Sequence, residues 1–355
     1  MEGQCMGAKK RRTDARVTIS DVAQKAGVSR TAVSLVLNEH GERNKYVSEE
    51  TRAKVWQAAR ELHYQPNLLA KALRTGRSLE VAGITDVSLT LLGLEVMAAF
   101  QQTALQYGYM PTAYYSQGLP PEKRQELYQR IFARRPLAIM TTPFHFTEED
   151  VKLACANGVE HILFYSFAPV PIEGVHSLVI PTREPGYLAA RHLLSRGYRH
   201  LVLVQPDDPL QAYPFQERLE GMRAAIAEHP DATQISLDIF SLKLSAQAAS
   251  MLVEAHLLQR DQPLGIYAFN DEYAFYLSGA LTQHGVPIPK KVGIVGTDNL
   301  PFCEGTWPSL TSISLDGARI GQRCAELLHV LHQGLSPSED LVRLPTPYLV
   351  QRGST

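Results

Sequence analysis

Residues 18–38 read Thr-Ile-Ser-Asp-Val-Ala-Gln-Lys-Ala-Gly-Val-Ser-Arg-Thr-Ala-Val-Ser-Leu-Val-Leu-Asn. This stretch predicts two short helices joined by a tight turn. Thr18 is placed to cap the first, with Asp21 three positions on, near its positive end. Val22, Ala23 and Ala26 give that helix one apolar face, and Gly27 supplies the permissive backbone of the turn. Ser29 caps the second helix, whose inner face is Val33, Val36 and Leu37. Arg30, Thr31 and Ser34 are left facing outward, where the second helix of a helix-turn-helix presents its reading residues to the major groove of DNA. Ser48 then caps a third helix with Glu49 and Glu50 in its first turn and Val55, Ala59 and Leu62 on one face. Residues 16–64 are thus expected to form a small all-α, three-helix domain.

The charge distribution points the same way. Residues 1–78 hold 15 lysines and arginines against 8 acidic residues, whereas the remaining 277 residues hold 20 against 28. A near-neutral chain, of net charge −1, therefore has a basic head on an acidic body. A basic head attracts phosphates, with an affinity that falls steeply as salt rises. Residues 1–15, which include Lys9-Lys10-Arg11-Arg12, are expected to be a disordered basic tail. Residues 65–78 form a linker in which Pro66 can start and Gly76 can stop one short helix, too short to be stable alone in water.

From residue 79 the pattern changes. Apolar strand-like runs, from Val81–Thr85 to Leu310–Ser314, alternate with amphipathic helices such as Leu94–Tyr107, Phe215–Glu228, Leu244–Gln259 and Ala318–Gln333. Repeated strand–helix units predict parallel, doubly wound sheets covered by helices. The runs are too many for one sheet of common size, so the α/β body of residues 79–355 is expected to form two lobes meeting near residue 180. The first lobe takes about 79–180 and 314–344, the second about 181–313 and 345–355. Ligands of such sheets sit beyond the carboxyl ends of the strands, and two facing lobes make a cleft there.

Several classes are disfavoured. No run approaches the roughly 18 apolar residues that would span a membrane. No apolar core of a signal peptide follows the first basic residues, so export is not expected. Cys5, Cys155, Cys303 and Cys324 are scattered and form no C-x-x-C pair, which fits a reducing cytoplasm. Phosphate-binding Gly-x-x-x-x-Gly-Lys-Ser/Thr, Gly-x-Ser-x-Gly and His-Glu-x-x-His motifs are all missing, and the 12 histidines are dispersed along the chain. An enzyme, a metal centre or a cofactor is accordingly not expected. The alternatives are a periplasmic-type solute-binding protein or an enzyme on the same two-lobed scaffold, neither of which calls for a basic helix-turn-helix.

Taken together, the chain resembles the lactose-repressor and galactose-repressor (LacI/GalR) family of bacterial transcription regulators. The strongest part of the resemblance is Asp21-Val22-Ala23 through Ala26-Gly27-Val28-Ser29 to Val33-Ser34 and Val36-Leu37-Asn38. Val47-Ser48, Thr51-Arg52 and Tyr64-x-Pro66-Asn67 with Ala70 and Leu73 continue it. Weaker echoes are His192-Leu193, Arg218-x-x-Gly221, Asn270-Asp271, Val295-Gly296-x-Asp298 and Pro308-x-Leu310-Thr311-x-Ile313.

The resemblance implies a periplasmic-binding-protein-like effector domain behind the helix-turn-helix. It implies a homodimer that reads a near-palindromic operator in double-stranded DNA, with no membrane partner. Major-groove contacts would fall to Thr18, Ser29, Arg30, Thr31, Ser34, Leu35 and Asn38, with Arg30 and Thr31 on base edges and Ser29, Ser34 and Asn38 on phosphates. Leu35 stands where many members carry a basic residue. In the linker, Asn67, Ala70 and Leu73 would enter the minor groove, with Leu73 wedged between base pairs.

A small-molecule effector would bind between the lobes, at Leu91, Ser166, Arg218, Asn270, Asp271, Asp298 and Leu315. Arg218 matches the family's cleft arginine and Asp298 a hydroxyl-binding aspartate. Of Asn270 and Asp271, one is expected to cap a helix and the other to face the ligand. Ser166 stands where sugar-binding members often carry Asp, Thr297 replaces a frequent aromatic, and Leu315 a polar contact. The exit of the first strand, around Leu91, lacks the aromatic that often stacks on a sugar. A sugar or sugar derivative is the expected effector, and these departures suit one that is less polar or differently shaped.

Overall fold

At the start of the first helix, the Asp21 carboxylate accepts hydrogen bonds from the Thr18 hydroxyl and the Thr18 amide, both at 2.7 Å. These bonds, the hydroxyl's foremost, hold the Asp21 pKa below the usual carboxylate value. The helix they open, α1 (Ile19–Ala26), ends at Gly27, whose φ of 66° is the left-handed conformation that a side chain disfavours. Helix α2 (Arg30–Leu37) begins where the Ser29 hydroxyl accepts from the Ala32 amide at 3.1 Å. Helix α3 (Glu49–Glu61) begins where Ser48 accepts from the Thr51 amide at 3.3 Å. Val22, Val33 and Val55, one from each helix, are fully buried at the centre of the bundle. A Lys25–Glu61 ion pair at 2.7 Å joins α1 to α3. Both of its side chains are open to solvent, so it adds little beside the valine core.

The computed structural model describes residues 17–37, 47–65, 78–85, 90–260 and 262–355. Two compact units divide the chain, Met1–Ser78 and Leu79–Thr355. Within the second unit, five parallel strands form sheet A in the order β2-β1-β3-β4-β5. They are β1 (Glu80–Thr85), β2 (Met110–Tyr115), β3 (Ala138–Thr141), β4 (His161–Ser166) and β5 (Val175–Val179). Sheet B has six strands in the order β11-β10-β9-β8-β6-β7. They are β6 (His200–Pro206), β7 (Ser236–Leu242), β8 (Leu264–Tyr267), β9 (Val292–Thr297), β10 (Thr311–Ser314) and β11 (Tyr348–Val350). Only β11 runs antiparallel, against β10. The two-sheet architecture is the expected one. The short antiparallel β11 is an addition that strand–helix alternation does not signal.

Helices cover both sheets. In the sheet A lobe these are α4 (Leu91–Gln106), α5 (Pro121–Ala133) and α6 (Glu148–Ala156), and in the sheet B lobe α7 (Arg183–Ser195), α8 (Ala212–Ala227), α9 (Ala246–Leu252) and α10 (Asp271–Gln283). The expected helix 244–259 is α9 followed by a π-helical turn at Val253–Leu257. After β10 the chain returns to the first lobe as α11 (Gly317–His332) and α12 (Glu339–Val342). Ile320, Cys324, Leu327 and Leu328 of α11 share a buried core with Val96 and Phe100 of α4 and Val81 of β1. Gly321 is required there, because a Cβ on it would stand 2.2 Å from the Val96 carbonyl oxygen. The chain therefore crosses between the lobes three times, after β5, after β10 and before β11.

Candidate functional site

Helix α2 offers the surface expected of a recognition helix. Arg30 and Thr31 are exposed, as are Thr18 and Ser29 at the two helix starts. Ser34 and Leu35 are half-buried, so the open surface of α2 is concentrated on its first turn. Leu37 is half-buried as well, and the inner face is completed by Val33 and Val36. Asn38, and the linker positions Asn67, Ala70 and Leu73, lie outside the described residues.

In the second unit, the carboxyl ends of strands from both sheets converge on one cavity of about 120 Å³. Its size compares with the roughly 150 Å³ that takes up a single benzene ring in a dry engineered cavity. From the sheet A lobe it is lined by Ile84 and Thr85 at the end of β1, Thr90 and Leu92 at the start of α4, Met140 and Thr141 at the end of β3 with Phe144 beyond it, and Tyr165 and Phe167 around the end of β4. From the sheet B lobe come Gln211, Arg218, Phe269, Asn270 and Asp298, with Leu315 in the second crossing.

Arg218 is the centre of the polar wall. Its side chain is buried, at 4% exposure. One terminal nitrogen donates to the Phe269 carbonyl oxygen at 2.5 Å, and the guanidinium carbon sits 4.0 Å from the centroid of the Phe269 ring. Its Nε is buried with no hydrogen-bond partner among the described residues. A buried guanidinium with a spare donor favours an oxygen acceptor in the cavity. Its position rests on two glycines. Gly221 on α8 and Gly186 on α7 let the helices touch backbone to backbone, since a Cβ on Gly186 would stand 1.9 Å from the Arg218 carbonyl oxygen and one on Gly221 2.1 Å from that of Arg183.

Two other lining residues hold strained backbones. Phe269 has φ 58° and Asp298 φ 107°, conformations that cost non-glycine residues about 1–3 kcal/mol each and cluster at binding sites. The Asp298 carboxyl is buried, and desolvation first, then the nearby Asp271 charge, raises its pKa well above the usual value despite Arg218. The surroundings thus favour the protonated form of Asp298 more than water favours it for an ordinary carboxyl, which lessens its counter-charge to Arg218.

Asn270 and Asp271 divide their work differently from the expectation. Asn270 both caps α10, accepting from the Tyr273 amide at 3.2 Å, and lines the cavity. Asp271 is fully buried and away from the cavity. Its carboxylate accepts from the Leu300 amide at 2.8 Å, the Ser312 hydroxyl at 2.6 Å and the Cys303 thiol at 3.1 Å. It ties α10 to the chain beyond β9, and Gly296 gives it room, since a Cβ there would lie 2.0 Å from its Oδ1. Burial raises its pKa to about 6. Leu91 is 42% exposed and outside the lining, which takes Thr90 and Leu92 instead. Ser166 is buried outside the lining and donates to the Ala168 carbonyl at 2.7 Å, while its neighbours Tyr165 and Phe167 face the cavity. Thr297 bonds the Tyr267 hydroxyl at 2.8 Å in the core of sheet B.

The aromatic lining missing from the exit of β1 is supplied by Phe144, Tyr165, Phe167 and Phe269. Tyr273 is buried edge-on to Phe269, and Phe302 meets Phe275 edge-on. Thr141 and Phe144 went unnoticed in the sequence, although the end of β3 is the place where a parallel sheet offers contacts.

Residues 18–67 match the lacI family of bacterial regulatory proteins, and residues 190–355 match the periplasmic binding protein-like domain. The HTH-type transcriptional repressor PurR of Vibrio vulnificus is 26% identical over 314 residues, which cover 88% of this chain and 90% of the relative. PurR of Vibrio parahaemolyticus is 27% identical over 312 residues, 88% of this chain and 90% of that protein. The crystal structure of the lac repressor dimer bound to operator and the anti-inducer ONPF matches with a TM-score of 0.74 at 25% identity, over 95% of this chain and 98% of that one. Among the described residues no helix is long and apolar enough to cross a membrane. The chain thus carries a helix-turn-helix segment that matches the lacI family of bacterial regulatory proteins and a segment that matches the periplasmic binding protein-like domain, and it is similar in fold to the lac repressor.

Proposed function

We propose that this chain is a sequence-specific, DNA-binding transcriptional repressor of the cytoplasm whose operator affinity is set by a small molecule held between its lobes. It acts without catalysis. Its working form is a homodimer on a near-palindromic operator, each α2 reading one half-site through Arg30 and Thr31. The linker of residues 65–78 carries Asn67, Ala70 and Leu73 into the minor groove, which makes grip on DNA depend on how the two copies are held together. Support comes from relatives that are repressors and from a neighbour seen as a dimer on its operator. The observation that carries the reading is the pairing of an exposed first turn of α2 with a cavity whose buried Arg218 retains an unpartnered donor.

The effector is a small hydroxylated molecule, with a sugar or sugar derivative first. Its oxygens meet Arg218, Asn270 and Asp298, and its apolar face lies on Phe144 and Phe167. Selection of random duplexes by the full chain, followed by gel shift in graded salt, tests the DNA half. A palindromic consensus is expected, and Arg30→Ala should cost about tenfold at one base position of each half-site. Absence of any preferred sequence, or an unaltered preference in Arg30→Ala, would count against it. A thermal-shift screen of metabolites on the full chain then identifies the effector.

A further inference from the structure

We propose that Glu160, His161 and His332 form a binding site for a divalent transition metal of the zinc class, remote from the ligand cavity. The three residues each bring one ligand atom into a group whose members all lie within 4.8 Å of one another. His161 opens β4 and Glu160 immediately precedes it, whereas His332 is the last residue of α11. Dispersal along the chain hides the group from any reading of spacing. Side chains of consecutive extended residues ordinarily face opposite sides. Here the amides of Glu160 and His161 both donate to the Leu137 carbonyl oxygen, at 3.1 and 3.2 Å. Glu160 thus lies just outside the regular pairing, which begins with Ala138 opposite His161.

Both imidazoles are set up as ligands. His161 Nε2 and His332 Nδ1 are buried and lack a hydrogen-bond partner among the described residues. The Glu160 carboxylate lies 3.8 Å from His332 Nδ1, too far for a hydrogen bond. The two rings stand at 88° with centroids 6.1 Å apart. His332 is steadied by the edge of Tyr109, 5.8 Å away, whose hydroxyl in turn bonds His329 at 3.0 Å.

Two imidazole nitrogens and one carboxylate oxygen suit zinc, with water completing a tetrahedron. Bonds of about 2.0–2.1 Å place tetrahedral ligand atoms roughly 3.4 Å apart, so the widest gap would close by small side-chain rotations. The carbonyl end of α11, a helix of 16 residues, adds a negative dipole end beside the cation. Oxygen-seeking magnesium or calcium would find only one ligand of its preferred kind. A bound metal would clasp the end of α11 to the edge of sheet A at which β1 begins, since Val81, Ala138 and His161 stand in register across that edge.

The test uses the full chain, stripped with chelator and titrated with zinc ions alone, by equilibrium dialysis and thermal denaturation. The wild type is expected to bind one zinc here and to gain about 5 °C in Tm near saturation. Magnesium should give no gain. Glu160→Gln, at a solvent-facing position, should weaken this binding at least tenfold, and His332→Gln should abolish the gain. A Cys155→Ser variant, removing the exposed thiol, should behave as wild type. Failure of the wild type to bind zinc, or undiminished zinc affinity in folded Glu160→Gln, overturns the proposal even if His332→Gln proves too unstable to test.

Discussion

The two walls of the ligand cavity are built to different specifications. The sheet B wall brings the only cation and the only carboxyl group among the described lining residues, Arg218 and Asp298, together with Asn270 and Gln211. It also holds the two strained backbones, at Phe269 and Asp298. The sheet A wall offers threonine hydroxyls, Met140, Phe144 and Phe167, with no positive-φ residue among its described lining. One wall is thus a rigid, directional grip and the other an adaptable apolar cover. A ligand that bridges them gains orientation from sheet B and burial from sheet A. Under the proposed function, an effector that favours one spacing of the two walls would shift the body toward that spacing.

The comparison breaks most readily at Arg218. Arg218→Met keeps much of the volume and removes the charge. Effector affinity, measured by calorimetry, is expected to fall about 100-fold, as for loss of a charged hydrogen bond of about 3 kcal/mol. Effector-free operator binding should stay within about twofold. A smaller loss than that of a sheet A variant would invert the assignment of the two walls. Phe144→Leu sharpens it from the other side. Affinity should drop by about threefold, and preference among effectors that differ in their hydroxyl pattern should be unaltered.

Asp298→Asn probes the electrostatics of the grip through stability. The folded state holds the Asp298 proton more tightly than the unfolded chain does. Wild-type stability therefore falls as pH rises above about 4, through the raised pKa, because ionisation favours the unfolded state. The amide variant lacks this loss. Its Tm should exceed the wild type's by roughly 3 °C at pH 8, with the difference shrinking toward pH 4. A pH-independent difference would mean that the Asp298 carboxyl is not held neutral in the cavity.

What the sequence disclosed about these regions depended on how local each determinant is. The three-helix unit is specified by residues three or four apart: Thr18 with Asp21, Ser29 with Ala32, Ser48 with Thr51. The two sheets were legible because central strands carry apolar runs, such as Ile162-Leu163-Phe164 in β4 and Leu201-Val202-Leu203-Val204 in β6, although buried β10 reads Thr-Ser-Ile-Ser. Helix α6, 9 residues long, has an equally local start signal, the capping box of Thr147 and Asp150. In the cavity, Arg218, Asn270, Asp298 and Leu315 were named from the chain, whereas Leu91, Ser166 and Asp271 each missed the lining by one residue. At the end of a strand or the start of a helix, a step of one residue moves a side chain to another face. Phe144 and Gln211 belong to connecting segments, where neither periodicity nor capping reports which way a side chain turns.

The three crossings between the lobes, after Val179, after Ser314 and ahead of Tyr348, have a mechanical corollary. Three tethers join the same two halves, so neither half is held by a single stretch of chain. A protease that cut a single tether would leave the halves joined through the other two.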